Sequence, residues 1–196
     1  MAWSESDKKK VWTAIVNEKI KKQCELLQKC GKKEHLLLEQ YIEELQYGDE
    51  SNREGHAAKV YFNALFGKDF CRTSDTPTNA ALNYGYAIVL SGFTKEICAN
   101  GYLTQVGMFH DNMFNPFNLA SDMMEPYRIL VDQAVYNLHI QQFGTEEKMA
   151  LVNLLNFTVV IAGRSEYVSN AVKIYCKSVF DALNERDISL IKYYEL

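Results

Sequence analysis

Proline and glycine are scarce in this sequence. Three prolines and ten glycines in 196 residues are too few to punctuate a sandwich or barrel of many short strands. The cysteines Cys24, Cys30, Cys71, Cys98 and Cys176 are odd in number and contain no C-x-x-C pair. That spacing argues against a zinc knuckle or a closed disulfide framework and for reduced thiols in a cytoplasmic protein. Cationic excess is missing too. Lys and Arg number 21 against 25 Asp and Glu, a formal charge of −4, so no global basic field advertises nucleic acid. The longest nearly apolar stretch, residues 151–163, is broken by Asn153 and Asn156 and falls short of the roughly 20 residues of a bilayer-crossing helix. The first residues lack the apolar core of a secretory signal, and no membrane partner is expected.

What is present is apolar and periodic. At 47% hydrophobic and 23% charged, the chain has the composition of one globular domain with a real core. Trp12, Ile15, Val16, Ile20, Cys24 and Leu27 recur at three- and four-residue steps, which predicts a long helix over 6–29 stopped by Gly31. Further helices are expected over 34–47, 54–66 and 79–100, closed by Gly48, Gly67 and Gly101. Gly85 and Gly92 fall inside the last of these, where glycine costs about 1 kcal/mol each, which points to close backbone packing. The segment 101–116 is irregular. Periodicity resumes from Leu119 to Leu138, and helices are expected over 145–160 and 165–184. No stretch reads as a strand, so the expectation is an all-α, multi-helix domain.

Nine lysines against two glutamates between Lys8 and Lys33 admit two readings, a solvated helix face or a phosphate-facing surface. Glu54 is similarly ambiguous. Ser51-Asn52-Arg53-Glu54 is a capping box, with Glu54 reaching back to the Ser51 N–H; the alternative is a carboxylate offered to a metal from a helix start. His110 lies alone in the irregular segment. His35, His56 and His139 carry less weight, and His56 is turned about 200° from Glu54 on a helix. Asp122, Glu125 and Arg128 follow at three-residue steps, with Pro126 marking a helix start or kink. Two carboxylates and an imidazole without a thiolate suit Mg²⁺ or Mn²⁺ better than Zn²⁺.

The segment Ser51-Asn52-Arg53-Glu54-Gly55-His56-Ala57-Ala58, continuing through Tyr61-Phe62, resembles the first active-site motif of the CRISPR adaptation integrases, the Cas-one family. Leu82-Asn83-Tyr84-Gly85-Tyr86 is similar to part of that family's central helix. His110 and the stretch from Phe114 to Arg128 resemble its second and third motifs, with Asn118-Leu119-Ala120-Ser121-Asp122 and Met124-Glu125-Pro126-Tyr127-Arg128 nearest to the branch found in type II systems.

The resemblance implies a metal-binding triad of Glu54, His110 and Glu125, with Asp122 and Arg128 as supporting residues and Mg²⁺ or Mn²⁺ as cofactor. It implies a DNA endonuclease and integrase that inserts spacer DNA into a CRISPR array by 3′-hydroxyl attack on a phosphodiester. Double-stranded DNA, a second copy of the chain and the Cas-two protein would be partners. The family's N-terminal β-domain has no counterpart here, so residues 1–196 are expected to be its helical catalytic domain alone. The competing expectation is a helical DNA-binding or assembly module without catalysis.

Overall fold

The computed structural model describes residues 3–195. Helix α1 (Glu5–Lys29) begins where the Ser4 hydroxyl accepts from Asp7 N at 3.1 Å, satisfying one of the free N–H groups of the first turn. Its apolar stripe is buried as the periodicity predicts. Its far half, however, is buried almost all round, because α2 (His35–Glu43), α3 (Arg53–Phe66), α6 (Arg128–Leu138) and α8 (Val168–Glu185) all pack against it. Lys19 and Lys22 are therefore interior residues, 6% and 2% exposed. The reading of the whole lysine run as a solvated face is wrong for these two.

Helix α4 (Pro77–Ala99) starts at Thr76, which accepts from Asn79 N at 3.2 Å, with Pro77 in the first turn where its missing N–H costs nothing. It lies against α6, α7 (Thr145–Val152) and α8. Gly85 makes the close approach expected of it: a Cβ there would stand 2.4 Å from Val131 Cγ1. Gly92 does not, since nothing lies within 4 Å of the corresponding position. Helix α5 (Asn118–Met123) and a 3₁₀ turn at Glu125–Tyr127 lead into α6, the break that Pro126 foreshadows.

The domain is mainly helical, as expected, with one small three-stranded sheet that the sequence reading did not anticipate. Strands β1 (Thr158–Ile161) and β2 (Arg164–Tyr167) form an antiparallel hairpin, and β3 (Tyr194–Glu195) pairs with the other edge of β1, giving the order β2-β1-β3. Helix α7 ends at Val152, not near 160, and α8 starts at Val168. The cause is local. Val159, Val160 and Ile161 are β-branched, and Ala162 and Gly163 both take positive φ, 51° and 73°, as a two-residue hairpin turn requires. Tyr194 on β3 is buried, and its hydroxyl donates to Pro126 O at 3.0 Å, so the sheet braces the 3₁₀ turn.

Candidate active site

Helix α1 supplies the centre of the site through Lys19. Its Nζ bonds Glu54 Oε1 and lies 2.5 Å from Glu125 Oε2. Burial alone would lower the lysine's pKa, yet the two carboxylates raise it, so the ammonium is charged and serves as the cation between them. Lys19 and Glu125 form the floor, with side chains 7% and 5% exposed, while Glu54 is 26% exposed.

Glu54 is free to face Lys19 because it does not cap its own helix. The chain enters α3 through left-handed residues, Gly48, Asp49 and Asn52, with φ of 71°, 54° and 52°. Asp49 accepts from Arg53 N at 2.7 Å and Glu54 N at 3.1 Å, and Asn52 accepts from Gly55 N at 3.3 Å. These side chains take over the task assigned to Ser51, whose hydroxyl is buried without a partner. The Ser51–Glu54 capping box is thereby corrected.

His110 is held by Asp122. The buried carboxylate accepts from the backbone N–H of Met108, Phe109 and His110 at 2.6, 3.0 and 3.1 Å, and pairs with His110 Nδ1 at 2.5 Å. An ionised carboxylate only accepts, which places the imidazole proton on Nδ1 and leaves the Nε2 lone pair for another partner. The Asp122 hydrogen bond, opposed by burial and helped by the charges of Asp122, Glu125 and Glu54, raises the histidine pKa above 6.5. Gly107 permits the fold of this loop: a Cβ would lie 2.2 Å from His110 O and 2.9 Å from Asp122 Oδ2. Phe109 stacks on Trp12 of α1 with ring centroids 4.5 Å apart, fixing the loop over the helix.

Glu125 opens the 3₁₀ turn braced by Tyr194. Burial acts to raise its pKa, but Arg128, whose Nε reaches Oε1 at 2.9 Å, and Lys19 outweigh it and hold the carboxyl down to about 2. Its Oε2 is buried against the Lys19 ammonium. Arg128 packs over the Tyr86 ring at 4.8 Å. Behind it, Asp132 accepts from Tyr61 at 2.9 Å and from Tyr86, a network closed to solvent.

The structure thus gathers Glu54 and Glu125 on one cation and sets His110 where both act on its charge. Among the described residues, the ligand atoms of the three do not all lie within 4.8 Å of one another. Asp122 leaves the helix face it would share with Glu125 and turns to the histidine loop. Lys19 is the residue that sequence reasoning missed. The signal was present, since Trp12, Val16, Lys19, Gln23 and Leu26 share one buried helix face.

The arrangement of helices is shared with several solved structures. These are a casposase bound to integration product (TM-score 0.73, 20% identity, 91% of this chain and 64% of that one) and a partial Cas6-RT-Cas1–Cas2 complex (0.79, 19%, 98% and 70%). A Cas1 protein from Thermotoga maritima is similar as well (0.70, 18%, 89% and 67%). At these identities the likeness establishes the fold. The family model described as CRISPR associated protein Cas1 matches residues 1–150, and the chain belongs to that family. The CRISPR-associated endonuclease Cas1 of Neisseria meningitidis serogroup C is 40% identical over 139 residues, 70% of this chain and 46% of that protein. One from Francisella tularensis subsp. novicida is 29% identical over 136 residues, 62% and 42%. The chain spans less than half the length of these curated relatives.

Proposed function

We propose that the chain carries the catalytic centre of a CRISPR spacer-acquisition endonuclease and integrase, in which Glu54, His110 and Glu125 hold Mg²⁺ or Mn²⁺. The observation that carries this reading is the shared cation: two carboxylates remote in sequence converge on the Lys19 ammonium. The donor set fits a hard divalent ion, being two carboxylates and an imidazole nitrogen. Glu125 Oε2 already holds one cation, the Lys19 ammonium at 2.5 Å. When bound, such an ion supplies positive charge to a phosphodiester under attack.

The chain's own residues do the positioning. Asp122 holds the His110 ring so that Nε2 points away from its anchor, and Arg128 fixes the Glu125 carboxylate. Lys19 bridges both carboxylates and keeps them close, and Arg128 supplies the second positive charge. The DNA strand to be joined would offer its 3′-hydroxyl at the rim formed by Glu54 and His110. The partners proposed are double-stranded DNA (prespacer and CRISPR repeat), the Cas-two protein and a second copy of the chain. The names of the solved neighbours, a Cas1–Cas2 complex and a casposase bound to integration product, support the first two. The 118–128 wording and the 40% identical relative support the type II branch.

The test is a cleavage and strand-transfer assay on end-labelled branched and duplex DNA with Mn²⁺. Product is expected from the native chain, with a loss of 100-fold or more, of the order seen when one charge-stabilising group is removed, in E54A, H110A and E125A. Product that survives all three substitutions would contradict the site. DNA binding without any product would favour the non-catalytic module.

A further inference from the structure

A second group of ligand-type side chains lies in the α1–α2 hairpin, apart from the acidic cleft. Cys24 and Gln28 stand four residues apart on α1, and His35 and Glu39 stand four apart on α2, so each pair projects from one helix face toward the other. Ligand atoms of Cys24, His35 and Glu39 all lie within 4.8 Å of one another. Glu39 Oε1 is 3.7 Å from Cys24 Sγ and 3.2 Å from His35 Nδ1. These separations match the edges of a tetrahedron around a zinc-sized ion, about 3.5 Å for S to O and 3.3 Å for N to O given bond lengths near 2.3 and 2.0–2.1 Å. Gln28 Nε2, 2.9 Å from Glu39 Oε1 and 3.3 Å from His35 Nδ1, takes the fourth side. Turning that amide over presents its oxygen instead.

We propose that Cys24 Sγ, His35 Nδ1 and a Glu39 oxygen, with Gln28 or a water completing the set, bind one Zn²⁺-class ion that pins α2 to α1. The mixed sulfur, nitrogen and oxygen donors select a borderline ion, unlike the carboxylate-dominated set of the cleft, which has no thiolate. Binding forms the metal–sulfur bond as the Cys24 thiol proton leaves to solvent. Burial and the neighbouring Glu39 push that thiol up to about 11, and a divalent charge acts in the opposite sense. Cys24 is buried while His35 and Glu39 are partly open, so solvent-borne metal has an approach.

The clamp is structural. Helix α2 contributes one buried side chain, Leu38, and needs other attachment. It also reaches the start of α3, where Arg53 pairs with Glu44 at 2.8 Å and lies over the Tyr41 ring at 5.3 Å. Fixing α2 therefore steadies the wall from which Glu54 projects.

Co²⁺ titration of the full chain is the test, because thiolate coordination gives a ligand-to-metal charge-transfer band in the near ultraviolet. One equivalent should develop the band. C24S should abolish it, H35A and E39Q should weaken it at least tenfold in affinity, and C71S and C98S should leave it intact. Zn²⁺ at 100 times its Kd should raise Tm by about 5–10 °C. That rise should persist in E54Q and E125Q, which separates this site from the cleft. Absence of the band in the native chain, or a band that survives C24S, would overturn the proposal.

Discussion

Lys19 Nζ lies 2.5 Å from Glu125 Oε2 and at the same time bonds Glu54. One side chain from the first helix thus ties together a helix start and a 3₁₀ turn far along the chain. It occupies the position of a cation in a cleft that is acidic without it.

Lys19→Met removes that cation and keeps most of the stem's packing. Glu125 is left with Arg128 alone and Glu54 with no partner, and breaking a buried pair from one side costs about 3–5 kcal/mol. Thermal unfolding should show a large fall in Tm. Mn²⁺ should recover more of it in this variant than it adds to the native chain, since the ion no longer competes with an ammonium. A Tm equal to the native value would show that the pair contributes no net stability.

Asp122→Asn keeps one acceptor oxygen for the loop N–H groups but loses the charge that orients His110. Changing the group behind a ligating histidine commonly costs 10–100-fold in metal affinity. Titration calorimetry with Mn²⁺ should show a loss in that range while circular dichroism remains native. An unchanged affinity would remove Asp122 from the site.

Gly107→Ala and Gly92→Ala form a pair with opposite expectations. At 107 the new methyl meets His110 O and Asp122 Oδ2, and overpacking of this kind costs about 1–3 kcal/mol. At 92 nothing is in the way, so a mid-helix alanine should be neutral or add up to about 1 kcal/mol. Urea melts of the two variants measure both.

Gly85 and Gly92 mark how far the sequence could be read. Both suggested close packing, and only contact with another element, invisible in a single sequence, distinguishes them. Helices α1, α3 and α4 were legible because apolar spacing and a glycine stop agree in each. The β1–β2 hairpin was not, although Val159-Val160-Ile161 followed by Ala162-Gly163 carries the turn signal, because a short apolar run has no period of its own. Glu54, His110 and Glu125 were singled out through the resemblance. Their relation to Lys19 was hidden because a lysine run ordinarily faces water, and three-dimensional packing decides which members turn inward.

Asp132 predicts an unusual pH dependence. Burial raises its pKa to about 6, against the opposing hydrogen bonds of Tyr86 and Tyr61. The folded state therefore holds a proton that the unfolded chain releases near pH 4. Stability should fall as pH rises from about 4 to about 6 and then level, a loss of about 2–3 kcal/mol. Asp132→Asn has no such proton to lose. Its stability, followed by urea melts from pH 4 to 7, should lack this fall, and an identical slope in both proteins would contradict the assignment.

Isothermal titration of the native chain with Mn²⁺, beside E54Q, H110A and E125Q, addresses the central claim most directly. One ion should bind the native chain, and each substitution should weaken it at least tenfold, because each removes one of three donors. Equal affinity in all four proteins, with each variant folded, would mean that the convergence of Glu54 and Glu125 on Lys19 is an internal ion pair and no metal centre.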